Sequence, residues 1–443
     1  MIPLMRLAIA SALALALVLP ATGLPAGAAT LGARLVRQRL DTGLTIIAEE
    51  KSASGLVALH TWVRVGSKDE SDETNGAAHF LEHMLFKGTA RRKTGEMDRA
   101  IESLGGVLNA ATSVDFTYYY VVGAGRDFDQ LLDLQSDAIM NSTIDAGEVD
   151  RERTVVIEEI SRRDNFPGTL AFEMLRAAAY TAHPYRRSVL GPRLGIARMP
   201  REVLLNFYRT HYVPANLTVV VVGSVPSRDA VAKVARVYAP FTRPAAPRPP
   251  RPAEPPITGV RRSLAEQDVR VAYLALGFPG LSVRDPDIHA TDVLAYLLGR
   301  GLGGRLRQQV LERARVVQSI SAFFPTQEDP ALFVIQAVTD PAQVEHAEAA
   351  ILAELAAVRE QGVTDAELAR AKNLLEGEYI YEGHTTRGRA YDLGLASTIA
   401  DLEFAQTYLE RIRRVTREDV QRVARRVLDP DRYAVAVVRP RSR

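Results

Sequence analysis

His79, Glu82 and His83 are the residues of this 443-residue chain best suited to do chemistry. Two histidines four apart lie one turn above each other on a helix, so both imidazoles can reach one metal ion. Glu82 stands between them, close enough to handle a proton beside that ion. The order H-x-x-E-H reverses the commoner H-E-x-x-H arrangement. For the pentapeptide alone, the competing reading is a surface helix with an ordinary i,i+4 pair. Its neighbours argue otherwise. Phe80, Leu81, Met84, Leu85 and Phe86 surround the three polar residues and predict a mostly buried helix, where His and Glu need partners or a metal.

A third ligand follows downstream. Val149, Glu152, Val155, Val156, Glu159 and Ile160 recur at helical spacing, which predicts a helix from Asp145 to Asn165. Glu152 and Glu159 are seven apart and share the face that carries the valines. Either acid alone reads best as a solvated helix edge. Beside the histidine motif, carboxylates in an apolar stripe call for a cation. Glu159 is therefore the expected third ligand, and Glu152 a carboxylate close behind the metal, counted here with the catalytic residues. His79, His83 and Glu159 leave a fourth position open for water, as catalytic zinc sites do. One zinc ion per chain is expected, although manganese or cobalt suits the same imidazole and carboxylate donors. Glu82 is the expected general base and not a ligand.

These residues sit in longer matches. Gly76 to Thr89, Gly105-Gly106 with Asn109-Ala110, Asp115-Phe116-Thr117 before Tyr118-Tyr119-Tyr120, and Arg153 to Ile160 together resemble the pitrilysin family of metallopeptidases, the inverzincins. The chain looks most like the bacterial processing-peptidase-like members of about this length. The resemblance implies a zinc-dependent endopeptidase acting on short or unfolded peptides. It implies two similar lobes, each a sheet backed by helices. It also implies that Leu108, Asn109, Ala110, Ala111 and Thr112 form an edge strand that pairs with substrate main chain, a mode that tolerates many sequences. For Asn109 by itself, a strand-end role is the alternative.

The elements that must position these groups can be outlined. Leu44–Glu49, Val57–Val65, Val107–Thr112 and Phe116–Gly123 read as strands, interspersed with amphipathic helices, so the class is α+β. Prolines from Pro240 to Pro256, with Arg243, Arg248 and Arg251 interleaved, predict an extended, semi-rigid linker over 240–257. On either side of it, Met199 to Val222 aligns without gaps to Val415 to Val438, which suggests a duplicated domain. The expected division is a catalytic zinc-binding lobe over 31–239 and a non-catalytic lobe over 258–443, each with a mainly antiparallel sheet. His183 and His211 are expected to be structural; His60, His289, His346 and His384 form no constellation.

Residues 1–28 read as a signal peptide: Arg6, an apolar run from Leu7 to Leu19, and Ala26-Gly27-Ala28 as a cleavage site. The run is too short for a membrane anchor. A periplasmic or secreted bacterial protein is expected, cleaved near Ala28. The chain has no cysteine, hence no disulfide, and must be held by its core. A net charge of +2 gives no electrostatic case for nucleic acid.

One departure from the resemblance bears on partners. Many relatives carry, after a segment like Gly303-Gly304-Arg305-Leu306, an arginine and a tyrosine seven residues later that reach the substrate carbonyl. Here those positions are Leu311 and Gln318, unless a small shift brings in Arg313 or Arg315. The expectation is a heterodimer in which a homologous chain without the metal motif supplies the pair. The alternatives are a non-catalytic structural subunit of a larger complex or a metal-binding peptide carrier.

Overall fold

Segments rich in valine, tyrosine and alanine build two mixed sheets. The computed structural model describes residues 35–441; the expected export segment, 1–28, lies outside the described residues. The first sheet contains β1 (Leu35–Arg39), β2 (Thr45–Glu50), β3 (Leu56–Val63), β4 (Val107–Thr112), β5 (Thr117–Ala124) and β6 (Leu217–Gly223) in the order β1-β2-β6-β3-β5-β4. The second contains β7 (Arg261–Gln267), β8 (Ala272–Pro279), β9 (Ser319–Phe323), β10 (Leu332–Thr339) and β11 (Ala434–Pro440) in the order β7-β11-β8-β10-β9. Each sheet is antiparallel except for one pair, β2 with β6 and β7 with β11. Without β1, the two orders coincide strand for strand, parallel pair included. The duplication suggested by the repeat ending in β6 and β11 is therefore present in the topology. Strand β1 carried no recognisable alternation and was not anticipated.

The sequence explains which strands are central. β6, Leu-Thr-Val-Val-Val-Val-Gly, is buried along its whole length, as a strand covered on both faces must be. β5 alternates buried and half-buried residues, with its tyrosines on both faces. β4 is the last strand and pairs only with β5, so its other edge is free.

The sheets are locked by an exchange of helices. Pro167–Ala179, which follows the first-lobe helices, packs on β7, β8 and β11 of the second sheet, with Ala171, Leu175 and Ala179 against Ala275, Ala434 and Val438. Thr386–Ile399 from the second half packs on β3 and β6 of the first, with Ala390, Leu393 and Ala396 against Ala58, Trp62 and Val220. Gly394 permits that approach: a Cβ there would lie 1.9 Å from Trp62 Nε1. Among the described residues no helix is long and apolar enough to cross a membrane.

The proline-rich segment has neither helix nor strand, but it is not a free spacer. Arg243 donates to the Met140 carbonyl at 2.8 Å, Arg248 bonds the Arg64 carbonyl, and Arg251 pairs with Asp329 at 2.7 Å. Glu254 accepts from the backbone N–H groups of Thr181, Ala182 and His183. Proline holds the backbone extended, and the interleaved charges fix it to both halves.

A buried ionic network joins the halves nearby. Lys68 is fully buried and pairs with Asp115 at 2.7 Å and with Glu328 from the second half. Tyr185 donates to Asp115 at 2.7 Å, and the Glu328 N–H donates to the same carboxylate at 3.0 Å. Burial alone would raise the Glu328 carboxyl, but the charges of Lys68 and Arg64 outweigh it and hold it at about 2. Asp329, likewise opposed by burial, is held at about 2 by His183 and Arg251. Both folded values lie below the ordinary unfolded values of about 4, so this stabilisation is present above about pH 4 and lost as pH falls toward 2. The loss at Glu328 alone is on the order of 2–3 kcal/mol. Thermal denaturation from pH 5 to pH 2 should show the melting temperature falling through this window, and Glu328→Gln should blunt the fall.

Candidate metal centre

The histidine motif forms the helix Ala77–Met84, in which all but His83 are buried. Its start is set by two residues. Gly76 takes a left-handed conformation (φ 97°), where a Cβ would strike the Leu190 carbonyl at 2.8 Å. The Glu70 carboxylate accepts from the N–H groups of Gly76 at 2.8 Å and Ala78 at 2.7 Å, closing two of the orphan donors of the first turn. Glu70 was not anticipated, because a cap supplied from six residues upstream leaves no local spacing to read.

Glu152 and Glu159 sit on the helix Ala146–Asp164, with Asp145 as its N-cap accepting from the Glu148 N–H. Val149, Val156 and Ile160 face the core, as the periodicity predicted. Val155, expected in the same stripe, lies outside it and is 38% exposed. The two helices pack together, and Arg153 lies over the Phe80 ring at 5.6 Å.

This packing gathers the three expected ligand atoms. His79 Nε2 and His83 Nε2 are 3.3 Å apart, and Glu159 Oε2 is 3.5 Å from the first and 3.6 Å from the second. Two atoms each about 2.0–2.1 Å from a tetrahedral zinc would be about 3.3–3.4 Å apart. The spacing of this trio therefore fits a single zinc-sized cation, and it is the group of His and Glu side chains with that capacity among the described residues.

Glu152 lies on the other side of the His83 ring. Its Oε1 is 2.8 Å from His83 Nδ1, and its Oε2 pairs with Lys87 Nζ at 2.7 Å. A proton on Nδ1 leaves Nε2 as the free lone pair aimed at the trio. Glu152 is thus placed behind the His83 ring and not among the three atoms that converge. His79 Nδ1 is buried with no hydrogen-bond partner, so no comparable group holds the other ring.

The cleft around these groups has a volume of about 520 Å³. Glu82 lines it with both histidines and Glu159, as do Phe86, Lys87, Asp98 and the β4 residues Leu108, Asn109 and Ala110. Ala111 and Thr112, expected with that strand, do not line it. Thr112 instead donates its hydroxyl to Glu82 Oε2 at 2.5 Å. Asn109 Oδ1 accepts from the Ala110 N–H. Every lining residue lies between His79 and Glu159, so the second half contributes none. Leu311 packs against the second core, and the Gln318 N–H bonds the Val338 carbonyl. Arg313 bonds Gln309 and Arg315 the Glu312 carbonyl, so a shifted register supplies no cation to the cleft either.

His183 bonds Asp329 at 3.2 Å and accepts from the Tyr185 N–H, a structural role at the junction of the halves. His211 packs at a tilt against Phe207, with burial lowering it to about 4.

Burial and the neighbouring charges set the proton preferences of the trio. Burial, reinforced by His83, pushes His79 down to about 4. Burial would also depress His83, but hydrogen bonds to Glu152 and Glu159 outweigh it and raise it to about 9. Glu159 is lowered chiefly by its hydrogen bond with His83. Burial raises Glu82, against the opposing Thr112 hydroxyl. A metal at the trio must therefore compete with the proton that these bonds favour on His83. Zinc must displace it, so binding at pH 7 should release about one proton, and apparent affinity should rise about tenfold per pH unit up to about pH 9. Calorimetry in buffers of different ionisation enthalpy reads that proton; proton-neutral binding would contradict the arrangement.

The sequence and fold have known counterparts. Residues 45–193 match the family described as insulinase, peptidase family M16, and residues 198–375 match the M16 inactive domain. An uncharacterized zinc protease of Streptomyces coelicolor is 31% identical over 91% of this chain and 89% of its own length. A probable mitochondrial-processing peptidase subunit beta of Arabidopsis thaliana is 30% identical over 90% of this chain and 77% of its own. The crystal structure of a protease from Helicobacter pylori superposes with a TM-score of 0.88 at 25% identity, covering 92% of this chain and all of that one.

Proposed function

The chain belongs to the insulinase (M16) family of peptidases, and from that premise we propose that it is a zinc endopeptidase of short or unfolded peptides. The observation that carries the proposal is the convergence of His79, His83 and Glu159 to zinc-ligand spacing in the cleft that also holds Glu82.

A zinc ion bound by His79 Nε2, His83 Nε2 and Glu159 would supply a Lewis acid for the scissile carbonyl and acidify the attacking water. The residues of the chain do the rest. Glu152 holds the proton on His83 Nδ1 and so keeps Nε2 available. Lys87 neutralises Glu152, which lets that carboxylate sit buried. The free edge of β4 beside Leu108, Asn109 and Ala110 can hydrogen-bond an extended peptide through its main chain. Glu82 takes the proton of the attacking water and delivers it to the leaving amine. Glu82→Gln should keep about one zinc per chain while peptide hydrolysis falls about 10²- to 10⁴-fold. Zinc retained together with undiminished hydrolysis would remove Glu82 from this role.

The donor that would steady the carbonyl oxyanion is proposed to come from a second, related chain. The supporting observations are the absence of any second-half residue from the cleft and the resemblance to a relative named as a beta subunit. Supplying the partner should raise kcat/KM about a hundredfold or more, the usual worth of such a donor. A monomer that is already fully active by sedimentation and assay would rule out the partner.

A further inference from the structure

We propose that Thr112 is a positioning residue that aims the Glu82 carboxylate, a role that rests on the peptidase reading above. Thr112 ends β4, where the resemblance implied that it would touch substrate. Its hydroxyl instead approaches Glu82 Oε2 at 2.5 Å, and the residue does not line the cleft. It therefore holds Glu82 from the sheet side and leaves the other oxygen, Oε1, for the water.

Counting hydrogens fixes the direction of this bond. Thr112 Oγ1 is 3.3 Å from Thr117 Oγ1, and Thr117 is fully buried. A hydroxyl has one hydrogen to donate. The Thr117 hydrogen goes to the Val65 carbonyl at 3.1 Å, so Thr117 can only accept from Thr112. The Thr112 hydrogen is then directed to Glu82, by far the closer acceptor, in a short bond typical of a hydroxyl on a carboxylate. With both hydrogens so placed, the contact between the two threonine oxygens carries none, and the base is tied to the end of β4 through Thr112 itself.

The anchor matters because the terminal torsion of a glutamate is broad and two-fold. The hydrogen bonds to the Glu82 carboxyl come from Thr112, chiefly from its hydroxyl and secondarily from its backbone N–H, so the hydroxyl is the main group selecting one orientation. Thr112 also shares a strand with Leu108 to Ala110. A peptide paired along β4 would stiffen the strand that orients the base, linking occupancy of the edge to readiness of Glu82.

The test uses the zinc-loaded protein, with its partner if one is required. Thr112→Val removes the hydroxyl and keeps the shape. It should lower kcat about 10- to 100-fold, the worth of a hydrogen bond to a charged group, with KM within about twofold. Zinc content and melting temperature should stay near wild type. Thr112→Ser should recover most of kcat, and Thr112→Val should add nothing on a Glu82→Gln background. Crystal structures of wild type and Thr112→Val supply a readout without activity: the Glu82 carboxylate should turn away in the variant. Unchanged kcat, an unmoved Glu82, or parallel losses in KM, zinc and stability would overturn the proposal. A fully active Glu82→Gln would instead overturn Glu82 as base, while the crystal comparison still decides whether Thr112 positions it.

Discussion

Two helices packed at one fixed offset bring two imidazole nitrogens and a carboxylate oxygen within 3.6 Å of one another, and the chemistry of this protein depends on that constraint. Three such groups, partly withdrawn from water, are costly together unless a cation joins them. Glu152 and Glu159 flank the His83 ring and favour positive charge there, whether carried by a proton or by a metal ion. The same arrangement makes the site ready for a divalent ion, since the ring already presents Nε2 to the trio. Glu152 and Lys87 behind His83 are therefore as much a part of the centre as the atoms that face it.

The rest of the fold maintains the offset of those helices. Glu70 and Gly76 fix where the histidine helix begins. Arg153 on the Phe80 ring and the buried Val149, Val156 and Ile160 seat the second helix against it. The next helix, Pro167–Ala179, leaves for the other sheet, so any slippage between the halves would be felt where the carboxylates are carried. The reciprocal helix on Trp62, the Lys68 network and the pinned proline segment oppose such slippage. The duplicated second half thus acts on the site at a distance, without placing a side chain in the cleft.

Much of this was legible in the sequence, for identifiable reasons. The gathering of His79, Glu82, His83, Glu152 and Glu159 in one place could be read because side chains on helices recur at fixed spacings, and the apolar residues around them revealed burial. The repeat of 199–222 in 415–438 foretold the matching strands β6 and β11. What escaped has no local period. Glu70 caps a helix across a loop. Lys68 finds Glu328 across 260 residues. Thr112 was grouped with substrate-pairing residues by its place on β4, whereas the pleat of that strand turns its hydroxyl to Glu82. Val155 fitted the helical period but lies at the margin of the stripe, where a one-residue step crosses from core to solvent.

The proposed activity requires a zinc ion at one place. Anomalous diffraction at the zinc edge from crystals of the protein grown with zinc measures this directly. The predicted result is one strong peak per chain, about 2.0–2.2 Å from His79 Nε2, His83 Nε2 and a Glu159 oxygen, with Glu82 outside ligand distance. No peak between the two helices, or a peak with Glu82 as a ligand, would contradict it.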